Sequence, residues 1–321
     1  MSLETILPFL QPIEHLILDP SVSEVMVNGD GAIFTQRNGL LASVDAAIEP
    51  KYLTHAVKRI ARSLGNDISE AVPLLDARLP DGSRVAAAFP PCSLQGVTLT
   101  IRKFRPHWFT MPQLIDSGAL SAALGIRLAD AVRNRKTILV AGGTDTGKTT
   151  FAKALIDLIP PEERLGVIED TAELKVDHPN VFRFEARKEQ IDSSGTRTIP
   201  AVTIRDLVEA TLRHRPDRLI IGEVRGGEAF DLLDALNTGH TGSISTVHAS
   251  SALQALSRLA SLSLQADVDI PYRAIQGEIG DLINLVVYIE RQDGKRRIAE
   301  ALQVNGFDAE TGCYATSSIY C

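Results

Sequence analysis

From residue 137 onward, short apolar blocks alternate with segments whose apolar residues recur every three or four positions. The blocks at 137–141, 164–168, 218–221 and 243–246 predict strands, and the segments at 148–159, 204–213, 227–236 and 253–262 predict helices. That alternation is the pattern of a parallel sheet flanked by helices. Two further blocks, 282–289 and 297–304, predict a terminal pair of strands.

The N-terminal part of the chain has a different rhythm. Residues 25–27 and 33–36 predict short strands around Asn28-Gly29-Asp30-Gly31, a hairpin turn signal. Residues 51–64 carry Leu53, Val57, Ile60 and Leu64 at helical spacing, and Gly65 supplies a stop. Pro80-Asp81-Gly82 predicts a turn between strands at 75–79 and 84–89, and VTLTIRKF at 97–104 alternates like a half-buried strand. The first eighteen residues predict an amphipathic helix; they lack a basic leader and a small-residue cleavage site, so no signal peptide is expected. RPHWFTMP at 105–112 has two prolines and no period, and is expected to be a linker. The fold class is therefore α/β, with a smaller α+β domain at 1–104 preceding an α/β domain at 113–321.

Composition narrows the class. Of 321 residues, 44% are hydrophobic and 23% charged, as in an ordinary soluble globular chain. No apolar run approaches the roughly 18 residues of a membrane-spanning helix. Three cysteines, Cys92, Cys313 and Cys321, are too few and too scattered for a disulfide framework or a zinc site. The 33 basic and 40 acidic residues give a formal charge of −7, which argues against sequence-independent binding to nucleic acid.

The chemistry starts at Gly142-Gly143-Thr144-Asp145-Thr146-Gly147-Lys148-Thr149, followed by Thr150. This fits G-x-x-x-x-G-K-[ST] between an apolar strand and an amphipathic helix, the setting that gives the motif its meaning. The N–H groups of such a loop wrap a phosphate, and the helix N-terminus adds its positive dipole end. Lys148 is expected to reach the β- and γ-phosphates of ATP, and the Thr149 hydroxyl to ligate Mg²⁺. Asp145 puts a carboxylate where neutral residues are commoner, and is expected to weaken binding.

Acids should stand at neighbouring strand ends. RLIIGE at 218–223 is an apolar strand ending in an acid, but the usual aspartate position holds Gly222 and Glu223 follows it. A second acidic strand end, with Glu169, Asp170 and Glu173, supplies further carboxylates. Three so close together repel one another unless a cation or water network lies between them. His240 and His248 flank the strand at 243–246, near the expected carboxyl edge of the sheet, as a γ-phosphate sensor or a subunit contact.

These four segments, GGTDTGKTT, VIEDTAEL, RPDRLIIGEVRGGEA and TGHTGSISTVHA, resemble in their order the secretion ATPase superfamily of type II and type IV secretion, pilus assembly and conjugation. The N-terminal stretches SVSEVMVNG, PLLDARLPDGSRVAAAFPP and LTIRKF resemble its CpaF- and TrbB-type branch. The resemblance spans residues 10–306, and only Asp145 departs from its P-loop, where Gly or Ser is usual. It implies a RecA-like P-loop domain and a homohexameric ring. It also implies a cytoplasmic location at the inner face of the inner membrane, with peripheral membrane association and secretion or pilus subunits as partners. By resemblance, Glu169 is the general base, Glu223 supports Mg²⁺ with Thr149 and Asp170, and His248 senses nucleotide. Arg84 and Arg102 match positions that reach phosphates. The alternatives are a low-turnover nucleotide-gated scaffold, a P-loop small-molecule kinase and a ring-shaped DNA motor.

Overall fold

In the computed structural model, which describes residues 6–320 except 38, 80, 105–107, 188 and 192–197, the first apolar segment is not one helix. Pro8 and Pro12 each start a short 3-10 turn, at Leu7–Phe9 and Gln11–Ile13, and only then does α1 (Glu14–Leu18) form. A proline inside a helix removes one hydrogen bond and clashes with the preceding turn, so the expected single amphipathic helix is broken into pieces. The apolar side chains Leu10, Ile13 and Ile17 are nevertheless fully buried.

Two compact units divide the chain, Met1–Pro106 and His107–Cys321. In the first, α1 is followed by β1 (Val22–Val27), β2 (Ala32–Arg37), β3 (Leu40–Ala47), α2 (Pro50–Ser63), β4 (Leu74–Arg78), β5 (Arg84–Ala88) and β6 (Thr98–Arg102). The strands form one antiparallel sheet in the order β3-β2-β1-β6-β5-β4. Leu53, Val57 and Ile60 on α2 join Val25, Val85, Leu99 and Ile101 in its core. Strand β3 was not legible in the sequence: it is an edge strand exposed along nearly its whole length, so LLASVDAA has no buried face to impose a period.

The second unit opens with α3 (Met111–Asp116), whose first turn is fixed by reciprocal hydrogen bonds between Thr110 and Gln113, and α4 (Ala122–Arg133). Helix α3 begins inside the segment read as a linker, of which residues 105–107 lie outside the described ones. There follow β7 (Ile138–Gly142), α5 (Lys148–Ile156), β8 (Leu165–Glu169), β9 (Val181–Glu185), the short pair β10 (Gln190–Ile191) and β11 (Thr198–Ile199), and α6 (Ile204–Leu212). The chain then forms β12 (Arg218–Val224), α7 (Glu228–Asn237), β13 (Ile244–His248), α8 (Ala252–Ser263), α9 (Tyr272–Leu282), β14 (Leu285–Gln292), β15 (Lys295–Asp308) and β16 (Cys313–Ser318).

Strands β14, β7, β13, β12, β8 and β9 run parallel in that order, and β15 and β16 extend the sheet antiparallel beyond β14. One face is covered by a core containing Phe151 and Leu155 of α5 with Leu124 and Leu128 of α4. The other is covered by α6, α7, α8 and α9, through Val208, Leu232, Leu256 and Ile279. Burial on both faces explains why the central strands read as unbroken apolar blocks. This is the RecA-like three-layer architecture. The expected strand at 282–289 starts only at Leu285, because Leu282 closes α9.

At the amino end of β12 the guanidinium of Arg218 is fully buried. Its Nε and Nη2 donate to Glu163 at 2.8 and 2.6 Å, and Nη1 donates to the carbonyl of Val132 at 2.8 Å. A buried cation is tolerated when it is paired and its donors are met. Here it ties the end of α4 to the start of β12, on the edge of the sheet opposite the site described next.

Candidate nucleotide-binding site

Parallel register brings the chemistry together at the carboxyl ends of the strands, where ligands of open α/β sheets bind. Gly142, the last residue of β7, lies beside His248 of β13 on one side and Ile289 of β14 on the other. Ile221 of β12 lies beside Ile168 of β8, so Gly222 and Glu169 are neighbours at the next step. Acids and a histidine far apart in the sequence thus gather at one edge of the sheet, the edge that carries this loop.

That loop connects β7 to α5. Gly142 is required by close approach: a Cβ there would stand 2.5 Å from the carbonyl oxygen of Ile289 and 2.6 Å from Thr146 Oγ1. Gly147, with φ of 95°, occupies the left-handed conformation at the helix N-cap, which glycine adopts without steric cost. Thr146 Oγ1 and Lys148 Nζ both donate to the carbonyl of Gly143, at 3.0 and 2.7 Å. Thr144 is exposed, while Gly143, Thr149 and Thr150 are half-buried around the loop and first helical turn. The Lys148 ammonium is buried, and desolvation lowers its pKa, with Glu223 opposing that shift and Arg225 adding to it. A cation held in this state gains from a phosphate in water's place.

Glu169 ends β8 and is 4% exposed. Its Oε1 accepts from the backbone N–H groups of Glu173 and Leu174, both at 2.8 Å, and its Oε2 accepts from Arg183 at 3.2 Å. Burial raises its pKa, and the two amides and the guanidinium pull it back. Asp170 points the other way, is exposed, and pairs with Arg225 at 3.2 Å. Protein guanidinium groups, Arg183 and Arg225, therefore answer the repulsion expected among the acids of this strand end.

Gly222 explains the atypical strand end of β12. A Cβ at that position would come within 2.9 Å of Glu169 Cγ, so the Glu169 side chain occupies the space that an aspartate would need. Glu223 lies inside β12 and accepts from Arg225 Nε at 2.6 Å. His248 Nε2 stands 2.6 Å from Glu223 Oε1, and its Nδ1 stands 3.4 Å from Lys148 Nζ. Desolvation first, and the Lys148, Arg225 and Arg258 charges after it, lower the His248 pKa against the pull of Glu223. The Nε2 contact lacks hydrogen-bond geometry and leaves Glu223 Oε1 buried without a donor, whereas an Nδ1 free of its proton can accept from Lys148.

His240 does not belong to this group. It precedes β13, at the amino end of that strand, where Nδ1 lies 3.2 Å from the carbonyl of Ala235 and 3.3 Å from Thr238 Oγ1. The expectation that both histidines lie at the carboxyl edge is corrected: a strand separates them and places them at opposite ends.

In the first unit, Arg84 and Arg102 are direct cross-strand partners on β5 and β6, and Arg78 of β4 faces Arg84 in the same row. Arg84 is half-buried and Arg102 exposed. Cross-strand like charges are unfavourable unless something anionic meets them.

Sequence reasoning missed Arg183, Arg225, Arg291 and Arg296 as site residues. Arg225 lies in RPDRLIIGEVRGGEA, two residues after its partner Glu223. Arg183 lies on β9, whose short amphipathic run VFRFE carried too little signal. Arg291 and Arg296, on β14 and β15, reach the P-loop from far along the chain and leave no local trace. Among the described residues, no cluster of three or more His, Cys, Asp or Glu side chains could hold a metal ion, and no helix is long and apolar enough to cross a membrane.

Fold and site together define a P-loop nucleotide-binding protein with a RecA-like domain. Residues 9–314 match the family described as Type II/IV secretion system protein, and the chain belongs to that family. It is 34% identical to the type IV secretion system protein PtlH of Bordetella pertussis, over 94% of this chain and 95% of PtlH. It is 32% identical to the conjugal transfer protein TrbB of Rhizobium radiobacter, over 90% of this chain and 85% of TrbB. The fold is shared with the Legionella pneumophila ATPase DotB, with a TM-score of 0.63 at 18% identity over 92% of this chain and 80% of DotB. The chain is an ATPase of the type II/IV secretion class.

Proposed function

We propose that this ATPase powers a type IV secretion or conjugal-transfer machine from the cytoplasmic face of the inner membrane, as a ring of six copies. The observation that carries its chemistry is Glu169: a buried carboxylate of raised pKa, fixed by two backbone amides and Arg183 at the strand end facing the P-loop side of the sheet.

In this reading the N–H groups from Gly143 to Thr150, with the N-terminus of α5, receive the phosphates. Lys148 leaves the carbonyl of Gly143 for the β- and γ-phosphate oxygens. Glu169 takes a proton from water as the water oxygen bonds to the γ-phosphorus. The bond from that phosphorus to the β–γ bridging oxygen breaks, and ADP leaves with its electron pair. A general base of raised pKa suits the task, because its proton affinity approaches that needed near neutral pH.

Magnesium fits the donor set. The chain offers the Thr149 hydroxyl at the start of α5, and acids engaged by cations of their own, Glu223 by Arg225 and Asp170 by the same side chain. Mg²⁺ keeps several waters and binds through few protein oxygens and the substrate's phosphates, so a site without a protein cage suits it. When bound it neutralises charge on the phosphates. Glu223 and Asp170 then act through water, and the Lys148–His248–Glu223 contacts give His248 a route to register whether phosphate has displaced Lys148. On the family resemblance alone, Arg84 and Arg102 are assigned to supplying further positive charge to nucleotide phosphates.

The low-turnover scaffold reading drew on the Asp145 carboxylate, and the pairing of that carboxylate with two arginines weakens its physical basis. Lys148→Ala is expected to abolish hydrolysis, and native mass spectrometry with ATP and Mg²⁺ to show a hexamer. Wild-type turnover in folded Lys148→Ala contradicts the P-loop assignment, and a strictly monomeric mass across a concentration series contradicts the ring.

A further inference from the structure

Asp145 is the one P-loop residue that the family resemblance leaves unexplained, and its surroundings are unusual. Its backbone is left-handed, with φ of 58°, a conformation that aspartate visits more readily than most residues. Arg296 of β15 grips it twice: Nε donates to its main-chain carbonyl at 3.1 Å, and Nη2 donates to its Oδ1 at 2.8 Å. Arg291 of β14 approaches Oδ2 through Nη1 at 3.4 Å. The stem of Arg296 also lies along the loop, so that a Cβ on Gly147 would stand 3.0 Å from its Cδ.

Two consequences follow for a loop that must receive phosphates. An unheld carboxylate there would repel the γ-phosphate and compete with it for the loop's N–H groups. Arg296 instead holds carbonyl and carboxylate together through a planar fork of donors, a geometry in which lysine could not replace it. In a planar trans peptide the carbonyl of one residue and the N–H of the next point in opposite directions. Holding the Asp145 carbonyl towards Arg296 therefore turns the Thr146 N–H away from it.

We propose that Arg296 is a positioning residue for nucleotide phosphates that acts through Asp145, neutralising its carboxylate and fixing the peptide that follows it, with Arg291 as the second counter-charge. The hairpin of β14 and β15 is thereby part of the phosphate site, and it makes an acid tolerable inside the P-loop. This proposal rests on the reading that the loop binds ATP.

A double-mutant cycle on the full chain tests it, with Mg²⁺–ATP affinity measured by isothermal titration calorimetry. The four proteins are the wild type, Arg296→Ala, Asp145→Asn and the double variant; asparagine keeps the left-handed conformation and removes the charge. In the wild-type background Arg296→Ala is expected to weaken binding about tenfold or more. In the Asp145→Asn background the same change is expected to cost at least about fivefold less, a coupling of the size shown by residues in one ion-pair network. Asp145→Asn should therefore recover affinity when added to Arg296→Ala, which a structural role for Arg296 would not produce. Asparagine keeps the main-chain carbonyl that Arg296 holds, so a smaller loss remains in that background; losses equal in both backgrounds would overturn the proposal, since the carboxylate would then play no part, and so would the absence of any loss in the wild-type background. Arg296→Gln keeps most of the stem over Gly147 and gives a second passage through the cycle if the alanine variant does not fold. A wild-type chain without ATP affinity, or a Lys148→Ala chain that binds equally well, would overturn the nucleotide reading itself.

Discussion

Gly222 and Glu169 share one space: the Cγ of Glu169 lies 2.9 Å from where a Cβ on Gly222 would be. The glycine at the usual aspartate position of this strand end thus makes room for a buried carboxylate from the neighbouring strand. Gly222→Ala should push Glu169 aside while leaving the P-loop intact. A displacement of about 1 Å in a reacting group can cost on the order of a hundredfold in rate. Steady-state assays on Gly222→Ala are expected to show that scale of loss in kcat with ATP binding retained. Unchanged kcat in the folded variant would mean that the position of Glu169 does not limit the reaction.

The pH profile tests the same carboxylate from another side. Burial raises its pKa, and a general base works only when deprotonated, so kcat should fall on the acid side at a pH above the ordinary carboxylate range. Arg183 lowers that pKa by hydrogen bond and charge. In Arg183→Met the acid limb should therefore move to higher pH, with activity recovered on raising the pH. A limb that stays in place, or moves to lower pH, contradicts the assignment of that limb to Glu169.

Much of the fold and the heart of the site could be read from the sequence, for a common physical reason. Strands buried on both faces declare themselves as apolar blocks, and the P-loop declares itself because its glycines, Lys148 and Thr149 lie within one local turn. What could not be read was whatever depends on a partner distant in the chain or on the absence of a buried face. Strand β3 is exposed, and β16 is exposed at alternate positions, so neither imposes a marked hydrophobic pattern. Helix α9 carries two glycines and a short apolar stripe, and only its packing beneath the sheet makes it a helix. Glu169 was readable as an acid at a strand end, whereas its tie to Arg183 on β9 was not, because strand order decides which residues meet. Pro8 and Pro12 were visible in the first segment, and the periodicity of its apolar residues concealed their effect on the helix.

The role proposed for Arg84 and Arg102 can be tested by removing both. Hydrolysis shifts negative charge onto the γ-phosphate and the leaving oxygen, and one lysine cannot neutralise all of it; arginine stays charged and presents paired donors to phosphate. The Arg84→Ala/Arg102→Ala variant should lose most hydrolysis while ATP affinity stays within about tenfold, roughly 1.4 kcal/mol. Near-normal turnover would return both residues to the role of sheet-surface cations.

In the proposed mechanism Glu169 takes the proton from the attacking water, and single-turnover hydrolysis of pre-bound ATP by Glu169→Gln reads that step alone. The amide keeps the shape of the side chain and can still accept from the amides of Glu173 and Leu174, yet it cannot take up the proton. ATP binding is expected to stay close to that of the wild type, and the hydrolysis step to slow by on the order of a hundredfold or more. A Glu169→Gln chain that binds and cleaves ATP at the wild-type rate, with Glu223→Gln as the slow variant, would contradict that mechanism and give the role to the acid of β12.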